Sequence, residues 1–158
     1  MTKTQWYIGA PNGVVLCIRS LHEGMLRGEL YHSYSREAVP FENAQQMIHG
    51  MEQLYDRLNY PHPGTNERSF APHPKSGEHL SERDKIMKDE ELLSRHGDLG
   101  TFIVRVQHRQ NSSWQGRITW MEKDKTINFR SVWEMVKLIE SAVDTVSEDE
   151  DAEEKQSW

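Results

Sequence analysis

Two windows of the chain change hydrophobic period in the same way. In the later window Phe102, Val104 and Val106 alternate with Ile103, Arg105 and Gln107, the period-two pattern of a strand. Residues 110–113 have turn composition. Trp114, Gly116, Ile118 and Trp120 then alternate with Gln115, Arg117, Thr119 and Met121; a second turn over 122–125 leads into a short strand through Ile127 and Phe129. There the period lengthens. Val132, Met135, Val136, Ile139, Ala142, Val143 and Val146 fall on one side of a helix. In the earlier window, apolar residues 14–18, Leu26, Leu30, Val39 and Phe41 precede a helical series of Ala44, Met47, Ile48, Met51, Leu54, Tyr55 and Leu58.

The two windows superimpose without a gap when Gly28 is set on Gly116, an offset of 88 residues. Leu26 then falls on Trp114, Leu30 on Ile118, Phe41 on Phe129 and Met47 on Met135. The helix starts coincide too: Ser131 with Glu134, and Asn43 with Gln46, have the spacing of a capping box, in which the cap oxygen satisfies an orphan helix N–H. Pro40 lacks a donor for a ladder and predicts a short or edge third strand in the first copy. The expected class is therefore α+β: tandem duplicated units of three-stranded antiparallel sheet plus one helix, related by a pseudo-twofold. The first unit covers 6–58 and the second 98–146. Each alone is small for independent stability, so the two are expected to share a core or join edge strands into one sheet.

Between them, 59–97 begins with Pro and His in turn-forming runs and becomes helix-compatible from Ser81 to Arg95, predicting a short charged helix on Leu80, Ile86, Met87 and Leu93 that ends at Gly97. Residues 147–158 are dominated by Glu and Asp and predict a disordered acidic tail.

Composition refines this picture where charge is uneven. The whole chain carries a net charge of −6, yet residues 143–158 hold 7 acidic and 1 basic group, while 101–142 hold 7 basic and 4 acidic. The second unit is thus mildly basic, and the overall charge misleads about partners. The single cysteine, Cys17, excludes an intrachain disulfide, and no apolar window reaches the length of a membrane span. A cytoplasmic protein with no membrane association is expected.

Chemistry-bearing motifs are sparse. No P-loop, dinucleotide fingerprint or nucleophile elbow is present, and Gly9 to Gly13 leads into a strand and not into a helix that would bind phosphate. His62, His73 and His79, with Glu67 and Glu78, lie in the linker without metal-ligand spacing. His32 aligns with Trp120, which argues for packing. No metal or cofactor is expected, and a catalytic pocket has room only at the seam between the units. The most suggestive surface is the far side of the second sheet. If Phe102 and Trp114 face the helix, then Arg105, Gln107, Arg109, Gln115, Arg117 and Thr119 face away, forming a basic, hydrogen-bonding surface with no acid on it. Such strands can track phosphates or read base edges, although a polar outer face is also what any one-sided sheet presents.

The run from Phe102 to Val106, with Arg109-Gln110-Asn111, Trp114-Gln115-Gly116, Trp120 and Phe129-Arg130-Ser131, resembles short bacterial proteins that carry no assigned activity. The resemblance covers the last third of the chain and implies no site residues. In outline only, three strands and a helix also resemble the DNA-binding domains of integrase arms and AP2-type factors, which read DNA with the sheet. The expected function is a non-enzymatic binding or regulatory module engaging a protein partner; the alternative is a nucleic-acid-binding accessory protein using the basic sheet face.

Overall fold

A computed structural model describes residues 13–58, 70, 84–110 and 113–156 of the 158-residue chain. In chain order the elements are β1 (Val14–His22), β2 (Met25–Tyr31), β3 (Val39–Phe41), α1 (Ala44–Leu58), α2 (Asp89–Leu93), β4 (Gly100–Gln110), β5 (Ser113–Trp120), β6 (Lys125–Phe129) and α3 (Val132–Gln156). The six strands form one antiparallel sheet in the order β3-β2-β1-β4-β5-β6. The protein is α+β. The first strands of the two windows, β1 and β4, meet at the centre, so the sheet closes over what would otherwise be two exposed edges.

Alternation along each strand decides which side is buried under the long helices. Val14, Leu16, Ile18, Leu26, Leu30 and Phe41 from β1–β3, with Phe102, Val104, Val106, Trp114, Ile118 and Phe129 from β4–β6, pack against α1 and α3 in one core. The helices begin as their caps require. Asn43 Oδ1 accepts from Gln46 N at 2.8 Å, and Ser131 Oγ accepts from Glu134 N at 3.0 Å. The return arm in α1 goes one residue further out than the capping box predicts: Gln46 Oε1 accepts from the N–H of Glu42. In the β1–β2 hairpin, Glu23 and Gly24 both have positive φ (52° and 76°), the requirement of a two-residue loop that follows the strand twist. Pro40 lies in the three-residue β3 at one sheet edge, where its missing N–H leaves no partner strand unpaired.

The sheet is covered on both sides, which the pattern of polar residues does not suggest. Val15, Cys17, Ile103 and Met121 on the other face bury against Met87 and Leu92 of the linker. The segment is tied down by its backbone. Ile86 N and Met87 N donate to Ser33 O, and Leu99 N donates to Ile18 O. At Gly97 a Cβ would sit 2.4 Å from Ile18 N, so only glycine permits this approach of two main chains. The helix in this segment is shorter than predicted, five residues from Asp89 to Leu93, and Ile86 is exposed while Met87 and Leu92 carry the burial. Leu80 and Ser81 lie outside the described residues.

The acidic end also departs from expectation. α3 does not stop at Val146 but runs to Gln156. Nothing between those positions breaks a helix: the run has no Gly or Pro, and four of its residues are Glu, a good helix former. Among the described side chains, Val143 is the last one that α3 buries fully in the core.

Candidate functional site

The predicted basic face is divided by a β-bulge. In the β4–β5 ladder Val106 pairs with Gly116, but His108 pairs with Gln115 and Arg109 with Trp114, so Gln107 is the extra residue. One added residue reverses the side-chain alternation beyond it. Arg109 therefore lies on the helix side with Trp114, not on the outer face. It is only 5% exposed. Its Nη1 meets Asp56 Oδ1 of α1 at 2.9 Å, and its guanidinium lies 5.5 Å from the centre of the Tyr55 ring. Tyr55 in turn packs edge-on to Trp114. Burial drives the Tyr55 hydroxyl well above its ordinary pKa, partly offset by Arg109. Arg109 thus joins the end of α1 to the β4–β5 hairpin, with its ion-pair partner Asp56 mostly in water.

The remaining predicted residues separate as well. Arg105 and Arg117 are directly opposed across β4 and β5, and Asn128 of β6 is next in the same row. Arg105 is half-buried; Gln107, Gln115 and Arg117 are exposed. Thr119 is buried, its hydroxyl 2.8 Å from that of Thr126. The structure thus brings Arg105, Arg117 and Gln115 together on the outer face, leaves Gln107 at the bulge, and removes Arg109. His108, absent from the predicted set, joins the face through its pairing with Gln115. The sheet centre beside this strip is covered by the linker.

Titratable groups elsewhere look structural. Cys17 is buried, and burial pushes its thiol up to about 11, away from reactivity. His32 is buried, with Nδ1 accepting from Tyr34 N at 3.1 Å; burial, with Arg57 adding to it, lowers its pKa to about 4. It is therefore neutral and an acceptor at neutral pH. No cluster of three His, Cys, Asp or Glu suited to a metal occurs among the described residues, and His62, His73 and His79 lie outside them. No helix among the described residues is long and apolar enough to cross a membrane.

Two concave regions flank α3, and the sequence reading identified neither. The larger, about 890 Å³, is a groove bordered by Val39 and Pro40, the first three turns of α1, and Trp133 and Val136 of α3. Trp133 is 66% exposed beside it, with Lys137 Nζ 5.7 Å from its ring centre. Its sequence signal is an aromatic one position off the helical apolar series. The smaller, about 210 Å³, lies under α3 against β5 and β6. Comparison with protein-family models, curated proteins and solved structures finds no match to this chain.

Proposed function

We propose that this chain is a non-enzymatic, cytoplasmic binding module that engages a protein partner through the groove between α1 and α3. The exposed Trp133 carries this reading. A large aromatic left two-thirds in water is costly to solvate, and tryptophan is the residue type most enriched where partners bind tightly. Around it, Val39, Pro40, Ile48 and Val136 supply an apolar floor, and Gln45, His49 and Gln53 supply amide and imidazole groups suited to a polypeptide main chain.

The same reading takes the module to be a duplication with pseudo-twofold symmetry. Its support is arithmetic in the ladders. All seven Cα partnerships of β1 with β2 recur in β4 with β5 at the 88-residue offset, including the bulge at Arg19 and Gln107. The three partnerships of β2 with β3 recur in β5 with β6. In the central pair, Val14 with Val104 and Leu16 with Phe102 exchange into each other under that offset, leaving Val15 with Ile103 on the axis.

The test is a photo-crosslinking phenylalanine analogue at position 133 of the full chain, expressed in cells. A discrete protein adduct that disappears with Ile48→Asp, and is absent when the analogue replaces Arg117 on the other face, is expected. Adducts from position 117 alone would overturn the assignment.

One observation favours the nucleic-acid reading: Arg105 and Arg117 are like charges placed directly across two strands, an arrangement that an anion would stabilise. Its signature is binding that weakens steeply with salt.

A further inference from the structure

The smaller concavity differs in character from the groove. Phe102, Ile118, Trp120, Ile127, Leu138 and Ala142 form its walls. Lys125, Ser141 and Thr145 stand among them, and no carboxylate does. Ser141 and Thr145 hydroxyls donate to the helix carbonyls of Leu138 and Ser141. The Trp120 indole N–H is different: it is buried and has no hydrogen-bond partner among the described residues. Buried donors are nearly always satisfied, so an unsatisfied one beside a cavity marks a place for an acceptor. Lys125 pairs with Trp120 across β5 and β6, which puts both side chains on the helix side of the sheet and near each other. Ile127, on the edge strand, is 48% exposed, so the cavity is open there to solvent.

The other half of the sheet shows why space exists here. At the 88-residue offset, Leu54 stands where Ala142 does, and Leu54 is buried in the core. His32 stands where Trp120 does, and Glu37 where Lys125 does. The second half thus has an alanine where the first has a buried leucine, and an indole and a cation beside the gap where the first has His32 and Glu37.

We propose that this cavity binds a small organic carboxylate whose apolar body is one ring or a short chain, with Lys125 and the Trp120 N–H receiving the carboxylate. Size sets the class. Cavities of about 150 Å³ lined by apolar side chains hold benzene, so about 210 Å³ admits a ring with a short arm and excludes a fused, drug-sized ligand. Charge sets the sign: one cation and one orphan donor, with no acid in the lining, reject amines and favour an anion over a neutral isostere.

The experiment is a titration of the full chain with phenylacetate and with hexanoate, followed by the Trp120 indole N–H resonance, with 2-phenylethanol and phenethylamine as neutral and cationic counterparts. Both carboxylates should shift that resonance saturably, with a Kd on the order of 0.1–1 mM for so few ligand atoms. The alcohol should bind about tenfold more weakly and the amine not at all. Lys125→Met, a change at an exposed strand position, should bring phenylacetate down to the level of the alcohol. Ala142→Leu, copying Leu54, should abolish binding while the protein melts no lower than before. The proposal fails if neither carboxylate gives a saturable shift in the millimolar range, if the alcohol binds as well as the acid, or if Ala142→Leu binds undiminished.

Discussion

Two glycines provide the sharpest test of the sheet geometry. A Cβ built on Gly116 would lie 2.0 Å from Arg105 O and 2.9 Å from Val106 Cα; one built on Gly28 would lie 2.0 Å from Cys17 O and 3.1 Å from Ile18 Cα. Neither glycine has a positive φ, so the requirement is space alone. In both places the obstacle is the neighbouring strand's main chain, which cannot rotate away as a side chain would. The strands must separate by roughly 1 Å before the methyl group fits, next to a bulge where the ladder is already interrupted. Overpacking costs about 1–3 kcal/mol, and each weakened ladder hydrogen bond adds about 1 kcal/mol. Gly116→Ala and Gly28→Ala are each expected to destabilise by about 3–4 kcal/mol, a large part of the stability of a small domain. Gly50 is the internal control. It is helical, and its Cβ would make an ordinary contact of 3.4 Å with a Val39 methyl group. Gly50→Ala should therefore stabilise by about 0.5–1 kcal/mol through helix propensity. Urea melts followed by tryptophan fluorescence measure all three. Losses below about 1 kcal/mol at both strand glycines would show that the strands are not this close and that the registers are wrong.

Trp114→Ala and Phe129→Ala each remove a fully buried aromatic and should cost about 3–5 kcal/mol by the same melts. His32 binds a proton more weakly folded than unfolded, so its contribution to stability is complete above pH 6.5 and is lost as pH falls toward about 4. His32→Asn, which keeps an acceptor for Tyr34 N without titrating, should flatten that part of the stability–pH profile by roughly 2–3 kcal/mol relative to the parent. Deleting residues 147–158 should lower helical circular dichroism yet leave the thermal midpoint within about 2 °C, because Ala152 and Trp158 are the segment's only apolar residues. Fluorescence anisotropy with that truncated protein should detect no nucleic-acid binding at physiological salt; micromolar, salt-sensitive binding lost in Arg105→Ala/Arg117→Ala would instead favour the basic face.

The strands, the two long helices and their shared core were legible because they rest on local rules. Alternation located the strands, the change to a 3.6-residue period located α1 and α3, and Asn43 and Ser131 marked the helix starts. The bulge was harder, though its signal was present. Val106 and Trp114 both read as helix-facing, yet a tight hairpin that opposes residue 110 to 113 places Arg109 across from Trp114. Those facts are compatible only if one residue is extra between Val106 and Arg109. Leu21, an apolar residue on an apparently outward position, gives the same signal in the first copy, where it pairs with Leu26. The covered outer face also left a trace. Residues 14–18 are continuously apolar, the mark of a strand buried on both sides, whereas a one-sided sheet would alternate. What could not be read is which segment supplies the cover. Met87 and Leu92 are two apolar residues in a charged, turn-rich stretch, and their docking depends on the Ser33 carbonyl and on the space left at Gly97.

On the duplication reading, positions where the halves agree and positions where they differ answer different questions. Gly28 and Gly116, Phe41 and Phe129, Met47 and Met135 agree because close strand approach and core volume impose the same solution twice. Differences at buried positions can be absorbed by repacking: Leu21 against Arg109 and Leu26 against Trp114 are such a case, where Arg109 and Trp114 of the second half contact Tyr55 and Asp56 of α1. Three further differences have no packing reason. Trp133 replaces Gln45 and remains exposed; Lys125 replaces Glu37; Ala142 replaces Leu54 and leaves a gap that the fold does not need. Trp133 leaves apolar surface in water and Ala142 gives up core volume, so stability alone gives no reason to keep either, while Lys125 reverses a charge beside the gap. All three lie in the second half, on or beside α3. Under the binding function proposed above, these three belong together, and the first half, which has the same ladders, carries none of them.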